Sequence, residues 1–196
     1  MKMSHGHLRL FIAISVHGQT GALLASEASR LQAELPFRRW THPADYHLTL
    51  QFLGDTPAGA VQSIVLALNG VASALSPFPL AIEKLGCFGS PQAPKTLYVG
   101  AGGDIASLSR LQSAVTEAME PLGFAKEKRP YRPHVTLARN YAGSEPLPDG
   151  LLASLSSGMK PLDLPVRHIV LYESRLGQRP MYEPVAEVPL GTPAVK

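Results

Sequence analysis

The tetrapeptide His-x-Thr-Leu occurs twice in this chain, as His47-Leu48-Thr49-Leu50 and as His134-Val135-Thr136-Leu137. Each copy lies in an apolar, β-branched run that predicts a strand. Successive strand side chains point to opposite faces, so His47 and Thr49 share one face while Leu48, Leu50 and Phe52 share the other. The same alternation separates His134 and Thr136 from Val135 and Leu137. A single pair of this kind is more often structural than catalytic; two copies on two strands point to one shared site.

Two imidazoles on opposite sides of a phosphorus atom can supply acid and base together. An ordinary imidazole titrates near pH 6.5, so one ring can be neutral and take a proton from water while the other is cationic and gives one to the leaving oxygen. Such a pair needs no metal. Hydroxyls and cations on the non-bridging oxygens stabilise the developing charge, and Thr49 and Thr136 are placed for that role. The likeness of the two motifs leaves open which histidine gives the proton and which takes it.

Basic residues gather before both histidines: Arg38 and Arg39 ahead of His47, and Lys126, Lys128, Arg129 and Arg132 ahead of His134, with Trp40, Tyr46 and Tyr131 among them. That mixture suits single-stranded RNA, because cations hold phosphates and rings stack on bases. Arg139 follows His134 by five residues, one step off simple alternation, and reaches the same phosphate if the strand ends or bulges there. His5, His7 and His17 have no carboxylate or cysteine pattern beside them and read as surface side chains, not metal ligands. His42 and His168 read as structural or solvated, and Phe11 as core with a groove-lining role second.

The motif strands belong to a repeating series. Residues 8–14 predict a strand, and the spacing of Leu23, Leu24, Ala28, Leu31 and Leu35 predicts a helix over 20–35 that Pro36 stops. A strand over 46–53 should end at Gly54-Asp55, with Thr56 as N-cap and Pro57 as the first residue of a helix running to Leu75. A strand over 78–85 follows. After the Gly- and Pro-containing loop 89–95 the order begins again: a strand over 96–101, a helix over 104–121 stopped by Gly123, and a strand over 134–138. A turn-rich loop over 143–150 and strands over 166–174 and 181–188 close the chain. The series implies one bilobal domain over 1–196, with an internal repeat centred on His47 and His134 and a pseudo-twofold axis between the lobes.

Composition narrows the setting. Hydrophobic residues make up 45% and charged residues 17%, enough for a core and unlike a disordered chain. Lys and Arg number 18 against 15 Asp and Glu, a net +3 that suits a phosphate-bearing partner without demanding one. The one cysteine, Cys87, excludes an internal disulfide and a cysteine-based zinc site, and fits a reducing compartment. No apolar run approaches the ~20 residues that span a bilayer. The chain reads as soluble and cytoplasmic, with no membrane partner; its sequence is silent on oligomeric state, a monomer being the default.

With these features the chain resembles the 2H phosphoesterases, and among them the bacterial and archaeal RNA 2′,3′-cyclic phosphodiesterases once described as 2′-5′ RNA ligases. The resemblance is carried by Arg9 to Ile14, Arg39-Trp40 with Pro43, His47 to Gly54, Leu85-Gly86-Cys87-Phe88, Arg132 to Arg139, and Glu173 to Leu176. Tyr98 departs from it, standing where relatives often carry Trp. The resemblance implies an α+β fold: a bilobal, pseudo-twofold arrangement of two β-sheets with flanking helices around a central groove. It implies a cofactor-free and metal-free reaction in which water opens a terminal RNA 2′,3′-cyclic phosphate to a 2′-phosphate. By position, His47 is the implied proton donor to the departing 3′-oxygen and His134 the implied acceptor from water. Thr49, Thr136 and Arg139 are implied phosphate holders, with Arg132, Tyr131, Arg39, Phe11 and Tyr98 as further substrate-binding candidates. The same groove can run the reverse 2′-5′ ligation. Two rival readings remain: a non-catalytic binder of RNA ends, and an enzyme for small cyclic nucleotides or ADP-ribose cyclic phosphate.

Overall fold

Alternating apolar residues place one face of a long antiparallel sheet against a layer of helices. The computed structural model describes residues 6–90 and 92–191, so His5 lies outside the described residues. The first half of the chain forms β1 (His7–Ser15), α1 (Gly18–Glu34), β2 (Phe37–Trp40), β3 (His47–Pro57), α2 (Val61–Ser73) and β4 (Phe78–Gly89). The second forms β5 (Pro94–Gly103), α3 (Ile105–Met119), β6 (His134–Tyr141), α4 (Leu151–Ser157), β7 (Leu162–Val166), β8 (His168–Ser174) and β9 (Tyr182–Pro189).

The strands run in the order β7-β4-β5-β6-β3-β1-β8-β9, with β2 added alongside β6. Between β3 and β6 only one residue pair is in register, Leu48 opposite Val135. The architecture is α+β as expected, but the two sheets expected are one continuous nine-stranded antiparallel sheet, narrowest at the Leu48–Val135 pair between the two motif strands. α1 packs on β7 and α4 on β4, while α2 and α3 pack on each other and cover β3, β8 and β9. The Thr20 hydroxyl donates to the Asp163 carbonyl at 2.5 Å and fastens α1 to the outer strand. Leu10, Ile12, Leu48, Leu97, Val135 and Leu137 point into this layer against Leu24, Leu31, Leu108 and Leu111, all fully buried. Removing one such leucine side chain costs about 2–5 kcal/mol.

Thr56 and Pro57 do not start a helix. β3 runs on through Gly54 and Asp55 because Leu8, Arg9 and Leu10 of β1 offer it partners, with Leu8 opposite Thr56. Thr56 is buried and its hydroxyl turns back to the Gly54 carbonyl at 3.1 Å, while α2 begins later, at Val61, with no side-chain cap. The helix over 104–121 is α3 followed by a short 3-10 turn. Asp104 caps it, its Oδ1 accepting from Ser107 N at 3.0 Å and its Oδ2 from Ser107 Oγ at 2.6 Å, and these bonds hold the carboxyl below its ordinary range. Gly123, at φ +92°, closes that end as expected. β2, α4 and β7, of four, seven and five residues, are too short for periodicity to reveal. No described helix is long and apolar enough to cross a membrane.

Candidate active site

Antiparallel register around the Leu48–Val135 pair sets His47 across from Thr136 and Thr49 across from His134. Leu48 and Val135 face the core, so the four polar residues share the opposite face. The two histidines lie on the diagonal of this quartet, where side-chain origins are about 7–8 Å apart, room for a tetrahedral phosphorus between the rings.

The two imidazoles are held alike. His47 Nδ1 lies 2.7 Å from the Asp45 carbonyl oxygen and His134 Nδ1 lies 2.7 Å from the Arg132 carbonyl oxygen. A carbonyl only accepts, so Nδ1 carries hydrogen in both rings and Nε2 is the nitrogen left to exchange a proton. Aromatic rings pack around each. Phe11, Tyr182 and Tyr172 surround His47, with ring centroids 4.9, 5.0 and 6.3 Å away. Phe88 and Tyr98 flank His134 at 4.9 and 5.3 Å and stack on each other at 4.4 Å. Gly86 makes that stack possible, since a Cβ there would fall 2.5 Å from the Tyr98 ring.

Burial pushes the His47 imidazolium down to about 4, opposed by the Asp45 carbonyl and carboxylate and reinforced by His134 and Arg139. His134 is lowered for the same first reason, with the Arg132 carbonyl opposing and Arg139 adding to the shift. Both free rings are therefore mostly neutral at pH 7. Burial also raises the phenols of Tyr172, to about 12, and Tyr182, so these rings stay uncharged beside His47.

Arg139 joins this face through a bulge. Leu97 pairs with Ala138 and Tyr98 with Thr136, so Leu137 is skipped, and both Leu137 and Ala138 point into the core. β3 carries the same feature, with Ile12 opposite Gln51 and Ala13 opposite Thr49, so that Leu50 is skipped. This overturns the simple alternation expected for β3. Gln51 turns into the helix layer and Phe52 joins the histidine face, 61% exposed and 6.0 Å from Phe11.

The other candidates divide. Arg39 sits opposite Arg139 and, with Arg38, Trp40 and Arg179, lines a groove beside His47. Arg132 and Tyr131 line a second cavity beside His134, and the Tyr131 hydroxyl donates to the Thr49 carbonyl at 3.1 Å. Phe11, 3% exposed, packs beneath His47 as a support and leaves little surface for a ligand. Tyr46, grouped with the base-stacking rings in the sequence, is instead a core side chain at 2% exposure, and burial raises its phenol to about 12. His17 contacts the Ala44 carbonyl at 3.0 Å and His42 Nδ1 accepts from Ala44 N at 3.2 Å, both structural contacts.

Sequence reasoning missed Asp45. Its buried carboxylate accepts from Met181 N at 2.9 and 3.0 Å and from Tyr182 N at 3.0 Å, fastening the end of the β8–β9 connection to the turn whose carbonyl holds His47. The same connection is closed by Arg175, which pairs with Glu173 at 3.2 Å and with Glu183. The only sequence signal was position, two residues before the histidine.

The family model of the 2′-5′ RNA ligase superfamily matches residues 22–178. The chain belongs to that superfamily. Among curated members it is 37% identical to an RNA 2′,3′-cyclic phosphodiesterase of Geobacillus stearothermophilus over 190 residues, 97% of this chain and 58% of that protein. It is 32% identical to a protein of the same name from Bacillus subtilis, over 81% of this chain and 84% of the relative. The chain thus spans less than two thirds of the Geobacillus superfamily member. E. coli LigT complexed with 3′-AMP shares the superfamily fold, with TM-score 0.73 at 20% identity over 95% of this chain and 100% of that one. TT0787 of Thermus thermophilus gives TM-score 0.73 at 26% identity over 94% and 98%.

Proposed function

We propose that this protein is an RNA 2′,3′-cyclic phosphodiesterase, with residues 1–196 acting as one bilobal unit and the reacting phosphorus held between His47 and His134. The observation that carries the reading is the diagonal pair of histidines, each ring presenting Nε2 while Nδ1 is spent on a carbonyl. The names of the relatives support the substrate.

In this mechanism His134 Nε2 takes a proton from water as the water oxygen bonds to phosphorus. The bond from phosphorus to the 3′-oxygen breaks, and that oxygen takes the proton on His47 Nε2, leaving a 2′-phosphate. Thr49, Thr136 and Arg139 bind the non-bridging oxygens as charge builds on them. The donor role suits His47 because, among the described residues, the carboxylate that acts on either ring is Asp45, beside His47. The substrate's negative charge adds to it and restores the proton that burial removes. A ring so acidic when free is a strong donor once charged. On this reading side chains alone supply the protons and the charge, so the reaction needs no cofactor, and its substrates are RNA ends and small cyclic nucleotides. Reverse 2′-5′ ligation uses the same groups in the opposite order.

The test is incubation in chelator with an RNA oligonucleotide ending in 2′,3′-cyclic phosphate, the product isomer being read by phosphorus NMR. A 2′-phosphate formed by the wild type and not by His134→Ala is the expected result. Tight binding with no product would replace the enzyme with a binder of RNA ends.

A further inference from the structure

The groove beside His47 lies between β2, the end of β6 and the β8–β9 connection, and its volume of about 440 Å³ falls within the range of small-ligand sites. Arg38, Arg39, Arg139 and Arg179 line it against one acid, Asp45. That acid is already engaged, since its carboxylate accepts from the backbone amides of Met181 and Tyr182. Among the described residues none of the four arginines pairs with a carboxylate, and Arg139 donates to Thr96 Oγ1 at a long 3.4 Å. The groove therefore carries positive charge that nothing described within it offsets.

The backbone holds these charges together. Pairing of the four-residue β2 on β6 sets Arg39 directly opposite Arg139, and Thr41 N donates to the Leu137 carbonyl at 2.8 Å. Like charges opposed on neighbouring strands work against that pairing until an anion lies between them. Arg179 reaches the groove from the other side, on a connection fastened by Asp45 and by the 2.8 Å bond from Arg175 N to the Met181 carbonyl. Trp40, the one tryptophan of the chain, also lines the groove, its ring edge-on to Phe37 at 6.3 Å. Guanidinium forks fit phosphate two donors at a time, and an indole face fits a base. The reaction read above fixes which part of an RNA arrives here. Its 3′-oxygen departs toward His47, so the ribose bearing that oxygen lies on the His47 side and water enters on the His134 side. The strand that continues from that ribose through its 5′-oxygen runs on past His47. The groove begins there, with Arg139 and with Tyr182, whose ring centroid lies 5.0 Å from that of His47.

We propose that this groove holds the nucleotide that precedes the RNA end: Arg39 and Arg179 bind the phosphate joining it to the terminal nucleotide, and its base stacks on Trp40. The inference rests on the cyclic-phosphate reading of the histidine site. It makes the protein select a strand over an isolated nucleotide.

The experiment compares adenosine 2′,3′-cyclic phosphate with the adenylate dinucleotide that ends in 2′,3′-cyclic phosphate. The readout is the ratio of the two kcat/KM values in the wild type, Arg179→Gln and Arg110→Gln, with thermal unfolding recorded for each. The wild type should prefer the dinucleotide by roughly tenfold, mainly through KM. Arg179→Gln should cut that preference roughly fivefold and leave turnover of the mononucleotide unchanged, whereas Arg110→Gln, which removes the same charge from α3, should leave the preference as it was. Rising salt should weaken kcat/KM more steeply for the dinucleotide, by about 0.7 in the logarithmic slope for the one added phosphate, and Arg179→Gln should reduce that excess. No preference in the wild type, a preference unchanged in Arg179→Gln, or an equal loss in Arg110→Gln overturns the inference. If the wild type turns over neither substrate, the cyclic-phosphate reading fails instead, and Trp40 fluorescence decides the groove. A saturable change on titration with the adenylate dinucleotide, weaker in Arg179→Gln, supports it, and no change or an equal one overturns it. A tetraglutamate peptide that changes the fluorescence where the dinucleotide does not would assign the groove to an acidic partner and overturn it as well.

Discussion

Five residues after each motif histidine the two lobes diverge, one presenting Phe52 and the other Arg139. Both motif strands carry the same bulge, at Leu50 in β3 and at Leu137 in β6, so both residues reach the histidine face by the same backbone device. The scaffold is shared and the side chain placed on it differs, a ring in one lobe and a cation in the other. The histidines differ in the same spirit. His47 is packed among Phe11, Tyr172 and Tyr182 with Asp45 beside it, whereas His134 lies against Phe88 and Tyr98 at the mouth of an open cavity. A symmetric frame can place two acid–base groups about one phosphorus, but only unequal surroundings give each a fixed role.

The strongest way to break this comparison is to remove either ring. His47→Ala and His134→Ala should each lower kcat by about 10²–10⁴ with the fold intact, measured by turnover beside far-UV circular dichroism. Near-normal turnover in either variant would mean that the two lobes do not share the chemistry. Next in size are the residues proposed to hold the phosphate. Arg139→Ala, Thr49→Val and Thr136→Val should each cost about 1.5–3 kcal/mol in kcat/KM, each losing a hydrogen bond to a charged group. Phe52→Ala at the matching position of the other lobe should leave the rate on a base-free cyclic phosphate higher than Arg139→Ala does, which sharpens the contrast between ring and cation.

Asp45→Ala leaves the amides of Met181 and Tyr182 unpaired, and should destabilise the protein by about 1–3 kcal/mol for each buried group left unmatched, read from urea unfolding. Gly86→Ala, which drives a methyl into the Tyr98 ring, should act through His134 alone and leave the surroundings of His47 unchanged by NMR.

Proton affinity gives a subtler test. Both imidazoles are lowered when free, so the bell of kcat/KM against pH should have both limbs below 6.5, the more acid one near 4. A profile with both limbs above pH 7 would contradict the burial of the rings. Stability follows the same sign. An unfolded His47 binds a proton below about 6.5 that the folded ring refuses until about 4, so stability should fall as pH drops through that window. In His47→Gln that part of the slope should vanish.

How much of this was legible in the residues depends on what fixed each feature. The histidines, the threonines and the two-lobed order could be read because motif and strand period act locally. The bulges could not, because they are set by pairing with β1 and β5, and with them went the true faces of Gln51 and Phe52. Arg139 was recovered only as a conditional, one bulge away from the site. Asp45 hid for a related reason: its carboxylate works on amides at Met181 and Tyr182, far along the chain. Tyr46 misled because basic neighbours suggested a groove, while the 3-10 turn before His47 points its ring into the core.

The claim that the lobes hold distinct proton roles is tested most directly by a cyclic phosphate whose 3′-bridging oxygen is replaced by sulfur, a leaving group that departs without a proton. Turnover of this substrate should be largely restored in His47→Ala and remain lost in His134→Ala. Restoration in His134→Ala instead would reverse the two roles, and restoration in neither would show that His47 does not act as the acid.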